Sequence, residues 1–175
     1  VMMLSLHGFR TRIQPPEARD EEPLLAAMRD SIGLHHPWVS APKNHAGWER
    51  YMKRLRRANE AGFLVKRIED DVICGVINLN IITYEALCSA YVSYFGVFGQ
   101  TEKGYMKEGM LQVIRYAFEE LGLHRLEANI QPGNLASIGL ARSTGFAYEG
   151  FSPRFLKING VWCDHERWAV LSDTD

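Results

Sequence analysis

Three observations predict an α/β or α+β fold with a mixed sheet. Apolar stretches of strand length alternate with helical periodicities through the middle of the chain. A hairpin signal built on Asn159-Gly160 closes the sequence. The composition, 46% hydrophobic and 23% charged, is that of an ordinary globular protein, and 175 residues suit one domain, 1–175, with no internal repeat or low-complexity linker.

The elements follow in order. Phe9 to Ile13 alternates apolar and basic residues and reads as a first strand. Asp20 to Ser31 reads as a helix, with acidic residues and Pro23 early and Gly33 just past its end. His35 to Lys43 is a loop broken by Pro37 and Pro42. Asn44 caps a second helix that carries Trp48, Tyr51, Met52, Leu55 and Ala58 on one face and is ended by Gly62. Phe63 to Ile68 and Val72 to Leu79 are strands joined by the acidic turn Glu69-Asp70-Asp71, and Ala90 to Phe98 is a third. Lys103 to Leu121 is a long helix with Met106, Met110, Val113, Ala117 and Leu121 on its apolar stripe, stopped by Gly122. Leu126 to Ile130 is a short strand, and Asn134 to Thr144 is a short helix closed by Gly145. Phe151 to Ile158 and Val161 to Leu171 form the closing hairpin, with Trp162 and Trp168 as core or sheet residues.

Composition narrows the function. The formal net charge is -1, which gives no global field to recruit nucleic acid or a membrane, and neither is expected as a partner. Cys74, Cys88 and Cys163 are scattered and odd in number, with neither metal spacing nor a disulfide framework, which fits a cytoplasmic setting. Val1 to His7 lacks a charged region before a long apolar run and does not read as a signal peptide; no apolar stretch reaches transmembrane length. His35-His36 has no companion ligands, so no metal site is expected. The basic run Lys53-Arg54-Leu55-Arg56-Arg57 reads as a solvated helix face, with Glu49 pairing to Lys53.

The chemistry concentrates in Gly99-Gln100-Thr101-Glu102-Lys103-Gly104-Tyr105-Met106, a glycine-punctuated loop running from a strand into a helix. Such a helix start leaves N–H groups unpaired beside a partial positive charge, and glycines let a ligand approach the backbone. It can also be no more than a capped helix, with Thr101 or Gln100 as cap and Glu102 answering the dipole. The next helix opens on Asn134-Leu135-Ala136-Ser137 after Pro132-Gly133.

Taken together, this order of strand, loop and helix, strand, then an Asn-x-x-Ser helix resembles the GNAT superfamily of acetyl-CoA-dependent N-acetyltransferases. Glu127, Asn129, Pro132, Asn134, Ser137, Gly145-Phe146, Glu149-Gly150, Ile158-Asn159-Gly160 and the ending Trp162-Cys163-Asp164-His165 are similar to the RimJ/RimL branch, which acetylates N-terminal amines of ribosomal proteins. The resemblance implies a mostly antiparallel mixed central sheet with a splayed middle strand pair and about four flanking helices. It implies acetyl-CoA as acyl-donor cosubstrate and an amine acceptor, a protein N-terminus or a small molecule, in a monomer or homodimer. Cofactor binding falls to Phe95 and Val97 on the splayed strand, to Thr101, Glu102, Lys103, Gly104, Tyr105 and Met106 at the pyrophosphate, and to Asn134 beside the pantetheine arm. Ser137 becomes the catalytic residue, placed at the leaving thiolate, and a backbone N–H between Gly96 and Phe98 becomes the oxyanion donor.

Two departures stand out. Glu102 occupies the first glycine of the family's phosphate loop, and Leu156 occupies the position where some relatives have a glutamate base. Glu127, Glu149, Asp164 and His165 remain as carboxylates or imidazoles without an assigned place. The sequence therefore leaves open an acyl-CoA-binding module with weak or no catalysis, and a small-molecule enzyme acting on an antibiotic or a polyamine.

Overall fold

The computed structural model describes residues 9–173, so the reading of Val1 to His7 lies outside the described residues. Seven strands form one sheet: β1 (Thr11–Gln14), β2 (Ala61–Arg67), β3 (Ile73–Thr83), β4 (Ser89–Gly96), β5 (Arg125–Ile130), β6 (Ala147–Ile158) and β7 (Val161–Leu171). Their spatial order is β1-β2-β3-β4-β5-β7-β6, and every neighbouring pair is antiparallel except β4 and β5. The helices are α1 (Glu21–Asp30), α2 (Ile32–His35), α3 (His45–Leu55), α4 (Tyr105–Arg115), which runs on into a π-helical turn at Tyr116–Glu120, and α5 (Leu135–Ser143).

Both faces of the central strands are covered. Phe63, Val65, Ile77 and Leu79 pack with Met110 and Val113 of α4, whereas Leu64 and Val76 pack with Leu24 and Met28 of α1 and Trp48 and Tyr51 of α3. The period-2 alternation of β2 thus feeds two cores, which is why its sequence reads as a continuous apolar run. α4 lies close to the sheet because two glycines admit it. A Cβ on Gly75 would collide with Met106 Sδ and sit 2.8 Å from the Phe95 carbonyl oxygen, and one on Gly109 would sit 2.5 Å from a Val65 methyl.

Several boundaries differ from expectation, and two of them turn on glycines. α3 ends at Leu55, and Gly62 lies inside β2. That glycine is needed for close approach rather than for stopping a helix: its Cβ would come within 2.6 Å of Tyr51 Oη and 2.8 Å of Leu55. α4 starts at Tyr105, not Lys103, because Gly104 adopts φ 84° and serves as N-cap. Trp168 is buried as expected, but Trp162 is on the sheet and exposed. Among the described residues Glu49 and Lys53 form no ion pair; Arg54, on α3, reaches Glu60 instead, at 3.7 Å.

A buried ion pair ties the edge together. Lys66 Nζ donates to Asp20 Oδ1 at 2.6 Å with both side chains almost fully buried. Arg10 braces α4 from outside, donating to Glu108 and to the Lys103 carbonyl (2.8 Å) and stacking over the Tyr105 ring.

Candidate active site

The site begins where β4 and β5 part. Their parallel pairing covers Ser89↔Arg125, Ala90↔Leu126 and Tyr91↔Glu127, and β4 then continues to Gly96 beyond the paired stretch. On its other edge β4 stays paired with β3. The Val97 N–H donates to the Cys74 carbonyl at 3.0 Å, in register with Val76↔Phe95. An antiparallel ladder alternates, so Phe95 turns its backbone groups toward β3, while Tyr94 and Gly96 turn theirs toward the gap. Of the candidate oxyanion donors, Val97 N–H is taken by Cys74 and Phe98 N–H by Ser31 Oγ at 2.9 Å, which leaves Gly96.

Above this gap lies a cavity of about 370 Å³, floored by β4 and walled by the start of α4, the start of α5 and the loop carrying Trp38. Phe95, Thr101, Glu102, Gly104, Tyr105, Met106, Asn134 and Ser137 all line it. Two expected residues do not. Val97 is buried in the α1/α3 core, with its carbonyl accepting from Gln100 N–H. Lys103 points away, its ammonium donating to the Gly99 carbonyl at 2.6 Å. Sequence reasoning missed Gln100, Lys107 and His35 as lining residues.

The start of α4 is built to receive an anion. Gly104 offers no side-chain cap, and neither Thr101 nor Gln100 supplies one. The N–H groups of Tyr105, Met106 and Lys107 find no acceptor among the described residues, the first ladder bond being Glu108 N–H to the Gly104 carbonyl. Gln100 Oε1 is buried without a partner in the same cavity, and Lys107 brings a cation that makes no ion pair among the described residues. These features fit the pyrophosphate and the amide-bearing arm of coenzyme A. Glu102 departs from the expectation that it serves the helix dipole. It sits two residues before the N-cap with φ 61°, and the acid in the first turn is Glu108. A left-handed φ at this position explains why glycine suits it, and Glu102 holds it at a cost of about 1 kcal/mol.

At the other wall, Asn134 caps α5, its Oδ1 accepting from Ser137 N–H at 3.3 Å. Ser137 Oγ has no protein partner among the described residues, and the Ser137 carbonyl accepts from Tyr94 Oη at 2.8 Å, tying β4 to α5. Burial holds the Tyr94 phenol well above its ordinary pKa, so it remains a neutral donor.

A second cleft of about 520 Å³ opens on the opposite side of Trp38, lined by Arg50, Tyr51, Arg54, Asn78, Ser93 and Phe95 among others. Among the described residues its only charged side chains are the two arginines. The spare carboxylates lie elsewhere. Glu127 and Glu149 both bind Arg125, whose guanidinium holds the Glu149 carboxyl below its ordinary range, and Asp164 accepts from Arg154 N–H at 2.7 Å. Leu156 is on β6, opposite Cys163.

Known proteins share this architecture. A family model described as an acetyltransferase (GNAT) domain matches residues 10–147. The chain is 39% identical over 125 residues, 71% of it and 69% of the relative, to the probable N-acetyltransferase YjcK of Bacillus subtilis (strain 168). It is 28% identical over 131 residues, 73% of it and 68% of the relative, to the ribosomal protein uS5-alanine N-acetyltransferase of Escherichia coli (strain K12). Among solved structures, Mycobacterium smegmatis RimJ in complex with CoA-disulfide has a TM-score of 0.85 at 22% identity, covering 93% of this chain and 82% of that one. That last likeness carries the fold.

Proposed function

We propose that this chain, which belongs to the GNAT acetyltransferase family and is an acetyl-CoA-dependent N-acetyltransferase, delivers its acetyl group to an α-amine, that of a protein N-terminus or a small molecule. The observation that carries this reading is the cationic second cleft. An acceptor that enters beside Arg50 and Arg54, with no carboxylate lining the way, cannot be a polycation without paying like-charge repulsion in a confined site. The ribosomal-protein acetylation named for the Escherichia coli relative makes a protein N-terminus the leading acceptor. The free thiols Cys74, Cys88 and Cys163 support a cytoplasmic setting, and no helix among the described residues is long and apolar enough to cross a membrane.

Acid–base magnitudes agree. An α-amine with a pKa of about 7.7–8 is neutral in roughly a tenth to a fifth of molecules at pH 7, whereas a lysine at about 10.4 is neutral in only about 0.04%. A site without a carboxylate base therefore loses little on an α-amine and over a hundredfold more on lysine, by the same roughly estimated fractions.

In the proposed geometry the pyrophosphate meets the N–H groups of Tyr105 to Lys107. The pantetheine arm runs along the edge of β4 presented by Tyr94 and the Gly96 N–H, with Asn134 on its other side; the Gly96 carbonyl already accepts from His35 Nε2 at 2.7 Å. Gly96 N–H donates to the oxyanion, and Ser137 Oγ donates to the departing thiolate. Thr101, Gly104 and Met106 shape the phosphate end, while Val97 and Lys103 support the loop from behind. Thiol release with an amine panel tests the acceptor. Peptides with a free N-terminus and a small first residue should turn over, while N-blocked lysine peptides and spermidine should not. Preferential turnover of lysine or spermidine overturns this acceptor.

A further inference from the structure

The donor-side cavity and the arginine-lined cleft are joined by a small space of about 80 Å³ inside the β4/β5 gap. It shares Asn134 and Ser137 with the first and Ser93 and Trp38 with the second, so it is where amine and thioester must meet. His165 of β7 lines this space and is almost fully buried. Its Nδ1 lies 2.9 Å from the Cys163 carbonyl oxygen. A carbonyl only accepts, so Nδ1 carries the proton, and the neutral ring keeps its lone pair on Nε2. No protein donor binds Nε2 among the described residues. Asn129, on β5, lines the same space with its Oδ1 buried and without a partner.

We propose that His165 Nε2 is the general base of the transfer reaction, with Asn129 Oδ1 accepting a second N–H of the incoming amine. The proposal rests on the acetyl-transfer reading above. The amine nitrogen forms a C–N bond to the thioester carbonyl carbon and one of its protons passes to His165 Nε2. The C–S bond then breaks with its electron pair going to sulfur. The imidazolium gives its proton to that thiolate, leaving amide, free thiol and neutral His165. This is the role for which the position of a glutamate in some relatives, Leu156 here, supplies no group. The surroundings are otherwise uncharged. β4 presents Ser93 and Tyr94, α5 presents Ser137, and β6 presents Ser152 in register and the Phe155 ring edge-on. Among the described residues Tyr94 is the only other titratable side chain lining the space, and its hydroxyl is engaged with the Ser137 carbonyl.

The test uses His165→Asn, whose amide can still donate to the Cys163 carbonyl but has no basic nitrogen, with His165→Gln as a second variant. CoA-induced thermal stabilisation selects for folded protein. The expected result is a loss in kcat of about 100-fold or more at pH 7 with unchanged KM for acetyl-CoA. The deficit should shrink as pH falls, because the wild-type enzyme then loses its base to protonation while the variant has none to lose, and that acid limb of the kcat profile should be missing from the variant. A folded variant that keeps wild-type kcat, or loses rate equally at every pH, overturns the assignment. Failure of the wild-type protein to acetylate α-amine peptides would instead overturn the acceptor reading.

Discussion

The starts of α3 and α4 solve the same problem in opposite ways. At α3 the chain supplies its own cap: Asn44 Oδ1 accepts from Gly47 N–H at 2.9 Å, answering one first-turn donor with a side chain. At α4 the N-cap is Gly104, in a left-handed conformation and without a side chain, and three N–H groups face a cavity. A helix that only needed to be stable would end as α3 does. The uncapped start gives up about 1 kcal/mol of local stability, and the account holds that a bound pyrophosphate returns it.

That contrast can be broken in either direction. The largest effect is expected from Gly104→Asp, which fills the anion site with a carboxylate at a position where φ is already unfavourable for it. CoA affinity should fall more than about 30-fold, equivalent to about 2 kcal/mol or more, read by calorimetric titration. Asn44→Ala should do the reverse, lowering unfolding free energy by about 1 kcal/mol in denaturant titration while leaving CoA affinity untouched. The smallest effect belongs to Glu102→Gly. Removing a like charge at an exposed loop should tighten CoA binding a few-fold at low salt, about 0.5–1 kcal/mol, with the gain shrinking as salt rises. Apo stability should stay nearly constant, since relief of the left-handed φ offsets the extra freedom glycine gives the unfolded chain. Weaker binding in this variant would mean that Glu102 holds the loop in shape.

The same contrast marks what the sequence could disclose. Asn44 and Asn134 were readable as caps because capping is local: three residues separate each acceptor from its donor. Strands β2 and β3 were readable from their apolar runs, and the splayed pair from resemblance. Gly62 was misread because a glycine that stops a helix and one that admits a neighbour look alike until Tyr51 and Leu55 are seen lying on it. Phe95 and Val97 were chosen as a strand stretch, but which of its backbone groups face the gap depends on register with β3, set by the distant pairing to Val76 and Cys74. Arg10 bracing Glu108 across 98 residues, and His165 lining one space with Asn129 and Ser137, are likewise products of the sheet order. Glu102 was visible only as a departure; its left-handed φ gives the departure a physical meaning.

The central claim is that the start of α4 is an anion site and not a poorly finished helix. Thermal unfolding with CoA, and with adenosine or pantetheine that lack the pyrophosphate, tests it most directly. At 100 times Kd, CoA should add about 2.7 kcal/mol and raise Tm by roughly 5–11 °C for a chain of this size, with much smaller shifts from either fragment at equal concentration. Equal shifts from CoA and the fragments, or none from CoA, would contradict the account.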